Sequence, residues 1–584
     1  MHNFHIPVMG IGFTVDTPVK VAHLGISSVI SLLDDILIEK MREFYCNKFE
    51  IPYQEISNKV EDFRAKRITD YLNTIDKIVK EKFTELKSSA SELGKEFEKY
   101  IELLPDISPI KQKFFDFQQD VHKKKEHLQW ILNNLTTGDI DVNIMTKLDK
   151  NNYLNGEIQA VEFNDAHAAL RGFANSNLNS SVVLSAGMNP RLYAYFEKLN
   201  DFFPDENGFL KKKIILKVSD YRSAIIQGKF FAKKGLWVSE YRIESGLNCG
   251  GHAFPTQGYL MGPILEEFKN NREELINSTF QLYSASLKSQ QRPCPEHPPK
   301  IKITAQGGVG TNQEHEFLLD YYKLNSIGWG SPFLLVPEVV NVDKNTLQLL
   351  SDAKEKDLYL SNTSPLGVPF NTLRSNTKDI EKQEWINSGK PGSPCPKKYG
   401  AINQEGLCTG SRQYQRTKIK ELESLNLSEV EYKKAFDKIT VKSCICVGLG
   451  TTPLLVNDLD IKVEGLAVSV CPGPNLAFFD KVVSLKEMVD HIYGRINLLR
   501  DTKRPNMFIN ELVLYLNYLK SDIIEAEKPL TTKQIDYYIA FKNNLLNGIQ
   551  YYVSLVEKIG QSNCSINLDL LQKYKHELDD LIIN

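Results

Sequence analysis

Short runs of β-branched and aromatic residues alternate with stretches of helical periodicity over much of this chain. Phe4 to Phe13 reads as a strand ending in the turn Met9-Gly-Ile-Gly12, Thr17 to Leu24 as helical, and Ile26 to Ser31 as a second strand. The alternation resumes after residue 155. Glu157 to Phe163, Val182 to Ala186, Ile214 to Val218, Leu236 to Ile243, Ile301 to Ala305 and Ser326 to Gly330 have the length and composition of strands. Helical segments fit between them, as at Tyr221 to Lys234, Gly262 to Lys288 and Asn312 to Tyr322. Eight strands alternating with helices is the count of an α/β fold of the (β/α)8 TIM-barrel type. A doubly wound open sheet has the same alternation and stays open, because the period alone does not show closure.

Two regions break the rhythm. Residues 35–154 are rich in Lys, Glu, Phe and Leu at helical spacing and predict amphipathic helices inserted into the barrel. Charge runs there, such as Lys123-Lys-Lys-Glu126, read as solvated helix faces. Beyond the barrel, residues 381–480 are rich in Gly, Pro and Cys, and residues 481–584 are helical, most clearly over Met507 to Glu525 and Thr532 to Ile559. The expected division is a barrel from residues 1–34 and 155–380, a helical insertion over 35–154, a Gly/Pro/Cys-rich region over 381–480 and a helical C-terminal region over 481–584.

Glycine marks the ends of three of the late strands. Ser245-Gly-Leu-Asn-Cys-Gly-Gly-His252, Gln306-Gly-Gly-Val-Gly-Thr311 and Gly328-Trp-Gly-Ser-Pro-Phe333 each follow an apolar run. Such turns at the C-terminal ends of barrel strands let backbone N–H groups approach a phosphate that a Cβ would hold off. Gly307, Gly308, Gly330 and Ser331 are the candidates for that role, and tight turns without a ligand are the plain alternative. His252, closing the first segment, belongs at the barrel mouth, where an imidazole can move a proton.

Bulk properties narrow the class. The 584 residues are 42% hydrophobic and 25% charged, with 71 basic against 73 acidic side chains. That balance gives no electrostatic footprint for nucleic acid. No apolar run reaches the ~20 residues of a membrane span, and the first residues lack a signal peptide's pattern, so the expected compartment is the cytoplasm. Nine cysteines, an odd number, fit free thiols or metal ligands better than a disulfide framework. Five of them, Cys395, Cys408, Cys444, Cys446 and Cys471, crowd the late Gly/Pro-rich region. Thiolates beside turns can hold zinc or an iron–sulfur cluster, although these spacings match no standard pattern. Buried or redox-sensitive thiols are the other reading.

The order of these motifs resembles the nitronate monooxygenases (2-nitropropane dioxygenases) and the related FMN-dependent enoyl-acyl-carrier-protein reductases. The resemblance rests on Pro7-Val-Met-Gly10, Cys249-Gly-Gly-His252, Gln306-Gly-Gly-Val309, Gly330-Ser-Pro-Phe-Leu334 and Gly367-Val-Pro-Phe-Asn-Thr-Leu-Arg-Ser-Asn376, over about three fifths of the chain. Ser331-Pro332 stands where the family has Thr-Arg, and the helical insertion and the last 200 residues have no counterpart in compact members. The resemblance implies an FMN-dependent oxidoreductase that oxidises a nitronate or carbanion-like small substrate with oxygen as acceptor. It also implies a catalytic His252, with Met9, Gly10, Lys217, Gly250 and Gly251 near the cofactor. Two alternatives stand beside it: a flavin enoyl reductase of lipid or polyketide synthesis, with acyl carrier protein as partner, and a non-catalytic barrel scaffold.

Overall fold

The computed structural model describes residues 1–119, 122–154, 156–185, 187–248, 250–253, 256–501, 503–526 and 529–583. Ala186 and Cys249 lie outside them. Eight parallel strands close into a barrel: β1 (Phe4–Ile6), β2 (Ser27–Ser31), β3 (Ile140–Ile144), β4 (Ser180–Leu184), β5 (Lys212–Val218), β6 (Val238–Glu244), β7 (Lys302–Gln306) and β8 (Ser326–Gly328). Each pairs with its sequence neighbour among these eight, and β8 pairs back to β1 through Phe4–Ile327 and His5–Gly328. Closure rules out the open doubly wound sheet.

The third strand is a correction. It is Ile140–Ile144, inside the segment expected to be wholly helical, and not Glu157 to Phe163. Glu157–Ile158 instead forms a two-residue antiparallel pairing with Tyr153–Leu154 and is exposed. Val161–Phe163 is a single 3-10 turn. In β3 all five residues are buried, yet Asp141 and Asn143 alternate with Ile140, Val142 and Ile144. The polar members face the inside of the barrel, which is itself polar. There Arg242 donates to Glu240 at 2.8 Å, and Thr304 donates to the same carboxylate at 2.6 Å. Burial pushes the Asp141 carboxyl up to about 7, with Asp139 adding to the rise and Arg242 opposing it. Val29, Val183 and Ile215, with Val8, make a small apolar cluster of their own between the polar layers.

The helical insertion runs from Asp35 to Asn134, its longest member being Phe63–Ser88. That helix buries one face, including Ile68, Tyr71, Leu72, Ile75 and Ile78, against the barrel. The region after the barrel folds back over the mouth. A hairpin, β9 (Leu358–Ser361) with β10 (Phe370–Leu373), continues through His252, which bridges to Phe370. The helix Ile445–Val456 lies on the β1 turn, where the Gly12 N–H donates to Leu449 O at 2.9 Å. The helices Met507–Glu525 and Thr532–Ile559 pack on the β6 side, and their buried residues join the same core as the barrel. Among the described residues no single helix is long and apolar enough to cross a membrane.

A buried charge network ties the roof to the barrel. Lys397 Nζ sits 2.6 Å from Asp34 and 2.8 Å from Glu464, with all three side chains at 0–1% exposure. Asp34 also caps the helix that starts at Asp35, and the Tyr399 hydroxyl donates to it at 3.0 Å. Asp35 is held below the usual carboxylate range by Arg64 and Arg67, which outweigh the effect of its burial. Breaking one member of such a set leaves an uncompensated charge in a low dielectric.

Candidate active site

A cavity of about 1250 Å³, part of it open to solvent, lies over the C-terminal ends of the strands. This is the face where barrel enzymes place their chemistry. Ser31, Asn143, Ser185, Lys217 and Glu244, from the ends of β2 to β6, line its floor, with Gly10 and Ile11 of the β1 turn. Gly250, Gly251 and His252 form one wall, and Pro365, Leu366, Phe370, Ile445 and Leu449 give the roof an apolar character.

The floor is an ordered polar row. Lys217 Nζ is 3.2 Å from Glu244 Oε2, and Gln306 Nε2 donates to Glu244 Oε1 at 2.7 Å. Register explains the row, since Glu244 pairs with Gln306 across β6 and β7, and Lys217 with Arg242 across β5 and β6. Asn143 Oδ1 is buried at the cavity floor and has no hydrogen-bond partner among the described residues. An unpaired buried acceptor costs about 1–3 kcal/mol, so its place beside a cavity points to a donor on a bound molecule.

His252 is held on two sides. Its Nε2 lies 2.6 Å from Ser364 Oγ, an oxygen that also accepts from the Leu366 N–H at 3.2 Å. Its carbonyl accepts from Asn248 Nδ2 at 2.6 Å. Asn248 is buried and also accepts from the Gly250 N–H and from Asn371 Nδ2, so one amide locks the whole loop. Burial, then the charges of Lys217 and Lys147, lower the His252 pKa to about 4. The imidazole is therefore neutral at pH 7 and has a lone pair to accept a proton. Ser364 and Asn248 are functional positions that sequence reading missed. Ser364-Pro-Leu-Gly lies 112 residues from His252, and only the hairpin brings the two together.

Of the candidate cofactor residues, Gly10, Lys217, Gly250 and Gly251 line the cavity, and Met9 is buried just behind it. The glycines on β7 and β8 are elsewhere. Gly307, Gly308, Gly330 and Ser331 are all buried and do not line the cavity. A Cβ on Gly307 would come within 2.8 Å of the Asn248 backbone, and one on Gly308 within 2.7 Å of the Leu247 side chain. Ser331 Oγ accepts from the Gly473 N–H at 2.8 Å, Asn475 Nδ2 donates to Val309 O at 2.7 Å, and Arg504 donates to Gly308 O. The space Gly307 and Gly308 free is filled by the chain's own Leu247 and Asn248, on which Gly473 packs in turn. Gly250 shows the same use: its φ is +128°, and a Cβ there would lie 2.1 Å from Cys471 O.

The five late cysteines divide. Cys395, Cys408, Cys444 and Cys446 gather in one cluster with Val447, whereas Cys471 belongs to the main core. Among the described residues no three His, Cys, Asp or Glu side chains are arranged to hold a metal ion, so the expected zinc or iron–sulfur site has no support in this geometry.

No protein-family model and no curated protein matches the chain. Among solved structures, it is similar to the enoyl reductase domain of MlnA from the macrolactin biosynthesis cluster of Bacillus amyloliquefaciens, at 14% identity and a TM-score of 0.34, covering 69% of this chain and 88% of that one. It is also similar to a nitroalkane oxidase from Streptomyces ansochromogenes, at 8% identity and a TM-score of 0.34, covering 84% of this chain and 94% of that one. At these values neither assigns an activity to this chain.

Proposed function

We propose that the mouth cavity is the active site of an oxidoreductase, of the flavin-dependent kind that the motif resemblance implies, acting on a small nitronate or carbanion-like substrate with oxygen as acceptor. One observation carries the reading. A lysine, a neutral histidine and an unpartnered amide oxygen from separate strand ends meet in a single cavity under an apolar roof. A scaffold has no use for such a meeting.

The cavity fits FMN at one end only. Gly10, Lys217 and His252 stand where a ring system would meet them. The phosphate end does not fit where the resemblance would put it, because the β7 and β8 turns are covered by Leu247, Asn248 and Gly473. We therefore derive no step through the flavin; its part, when bound, is to accept electrons.

The chain's own groups have definite tasks. Lys217 presents a cation to an anionic substrate, with Glu244 fixing its direction. Where the substrate arrives protonated, as a nitroalkane, the neutral His252 is the group placed to accept its α-proton, which leaves the nitronate. Ser364 holds Nε2, which fixes the ring's orientation. The apolar roof limits water around both groups, which strengthens their interactions. The test is release of cofactor by denaturation and its identification by chromatography, followed by anaerobic addition of propyl-2-nitronate to the intact protein. Recovery of FMN and bleaching of its visible band are expected. No flavin, even after reconstitution, overturns the reading.

A further inference from the structure

Four thiols meet behind the cavity wall, and nothing in the proposed reaction uses them. Cys395, Cys408 and Cys444 are buried to 4% exposure or less, and Cys446 is partly buried beside them. The four come from three separate stretches of sequence, so the cluster is made by folding. Cys408 and Cys446 also line the cavity, so a small molecule there reaches two of the four. Cys444 Sγ and Cys446 Sγ are 3.9 Å apart. Cys444 occupies the N-cap position of the helix Ile445–Val456, where the helix dipole favours a thiolate, and Cys446 sits in its first turn.

The protons are unevenly shared. Contact with Cys408 and Cys444 pushes the Cys395 thiol above its ordinary range, while those two are held below theirs. Cys446, 3.9 Å from Cys444, is likewise held high. Each easily ionised thiol thus has a protonated thiol against it. That is the arrangement of an attacking sulfur with a resolving partner.

We propose that this cluster is a reversible two-electron thiol–disulfide site that reduces hydroperoxides entering through the cavity. The Cys408 thiolate attacks one peroxide oxygen. An S–O bond forms, the O–O bond breaks, and hydroxide or alkoxide leaves and takes up a proton. The Cys408 sulfenic acid then condenses with Cys395: an S–S bond forms, and the sulfenic oxygen leaves as water with the Cys395 proton. Two thiols are oxidised by two electrons and one peroxide is reduced. Cys444 and Cys446 can take over the disulfide by exchange, and a low-molecular-weight thiol returns the site to its reduced state. The site needs no flavin and stands apart from the reading of the cavity's main reaction.

The experiment uses the reduced full-length protein and hydrogen peroxide in small molar excess. Thiols are counted against time and the products located by peptide mass mapping. The expected result is loss of two thiols within the set Cys395, Cys408, Cys444 and Cys446, about tenfold or more faster than at Cys46, Cys294 or Cys564, and full recovery with dithiothreitol. Cys408→Ser should slow the loss about tenfold, and Cys395→Ser should leave a sulfenic acid on Cys408 that a dimedone probe labels. The mapping on the unaltered chain decides the matter even if a variant does not fold. Equal oxidation of all cysteines, irreversible passage to sulfinic acid, or purified protein carrying one equivalent of zinc or iron on these four thiols would each overturn the proposal.

Discussion

The two halves of the barrel mouth use the same local device for opposite ends. On the β5–β6 side, the strand ends and the Gly250-Gly251-His252 loop border open space. On the β7–β8 side, Gly307, Gly308 and Ser331 follow strands of similar make, yet Leu247 and Asn248 fill the space at the two glycines and Gly473 packs on Ser331. A glycine turn at a strand end says that something comes close to the backbone. It does not say whether that something is a ligand or another part of the same chain.

The sharpest way to break this contrast is Gly473→Val. A Cβ there would sit 2.2 Å from Asn248 O, against backbone that has nowhere to go. We expect a loss of about 3 kcal/mol or more, or failure to fold, read by chemical denaturation. Unchanged stability would mean that the segment does not pack on the β7–β8 turns. On the open side, His252→Ala should lower turnover by roughly 10²–10⁴-fold while cofactor content stays near that of the parent. The fall should be smallest for a substrate supplied already deprotonated; equal falls for both forms would make His252 a binding residue.

Gly308→Ala comes next in size. Gly308 has φ of +82° and abuts Leu247, so a methyl group should cost about 1–2 kcal/mol in stability. If the melting temperature holds and flavin is lost instead, the closed side is a phosphate site after all. The smallest effect is in pH. His252 is neutral in the fold, with its pKa lowered from 6.5 to about 4, so its contribution to stability is full above about pH 6.5 and is lost as pH falls through 4. His23 is also lowered to about 4. Glu511, raised to about 7 by burial, acts the other way: its contribution is full below its ordinary range near 4.5 and is lost as pH rises through 7. Melting curves between pH 4 and 8 should show the histidine slope shrink in His252→Asn and the opposing slope shrink in Glu511→Gln.

Much of the barrel was legible because its strands are short apolar runs closed by glycine turns. Seven strands stand where the pattern placed them, most within two residues at their starts, although β1 stops at Ile6 and the chain to Phe13 is turn. The helices Met507–Glu525 and Thr532–Ile559 match their predicted bounds. β3 escaped because Asp141 and Asn143 point into a polar barrel interior, so its short alternation of Ile140, Val142 and Ile144 was absorbed into the surrounding helical insertion. A five-residue alternation next to Gly138, whose Cβ would strike the Ile26 backbone, was the available signal. Lys217 and His252 were readable from their positions at strand ends. Ser364 and the filling of the β7–β8 side were not, because they depend on contacts between segments far apart in sequence, and Asn248 was not, because its role rests on loop geometry that the sequence does not show.

The buried triad of Lys397, Asp34 and Glu464 also bears on how the protein is made. Asp34 leaves the ribosome 363 residues before its partner. At usual elongation rates that is a delay of roughly 20 to 70 seconds. Through that interval the first two strands can pair and the inserted helices can form, but the carboxylate at the head of the Asp35 helix has no lysine to meet. The roof is therefore added only after all eight strands, and a nascent or clipped chain without it has the floor of the cavity but not its Ile445 and Leu449 cover. Chemistry that needs the covered cavity waits until synthesis has passed Glu464, so the order of the chain sets the order in which the site is closed over.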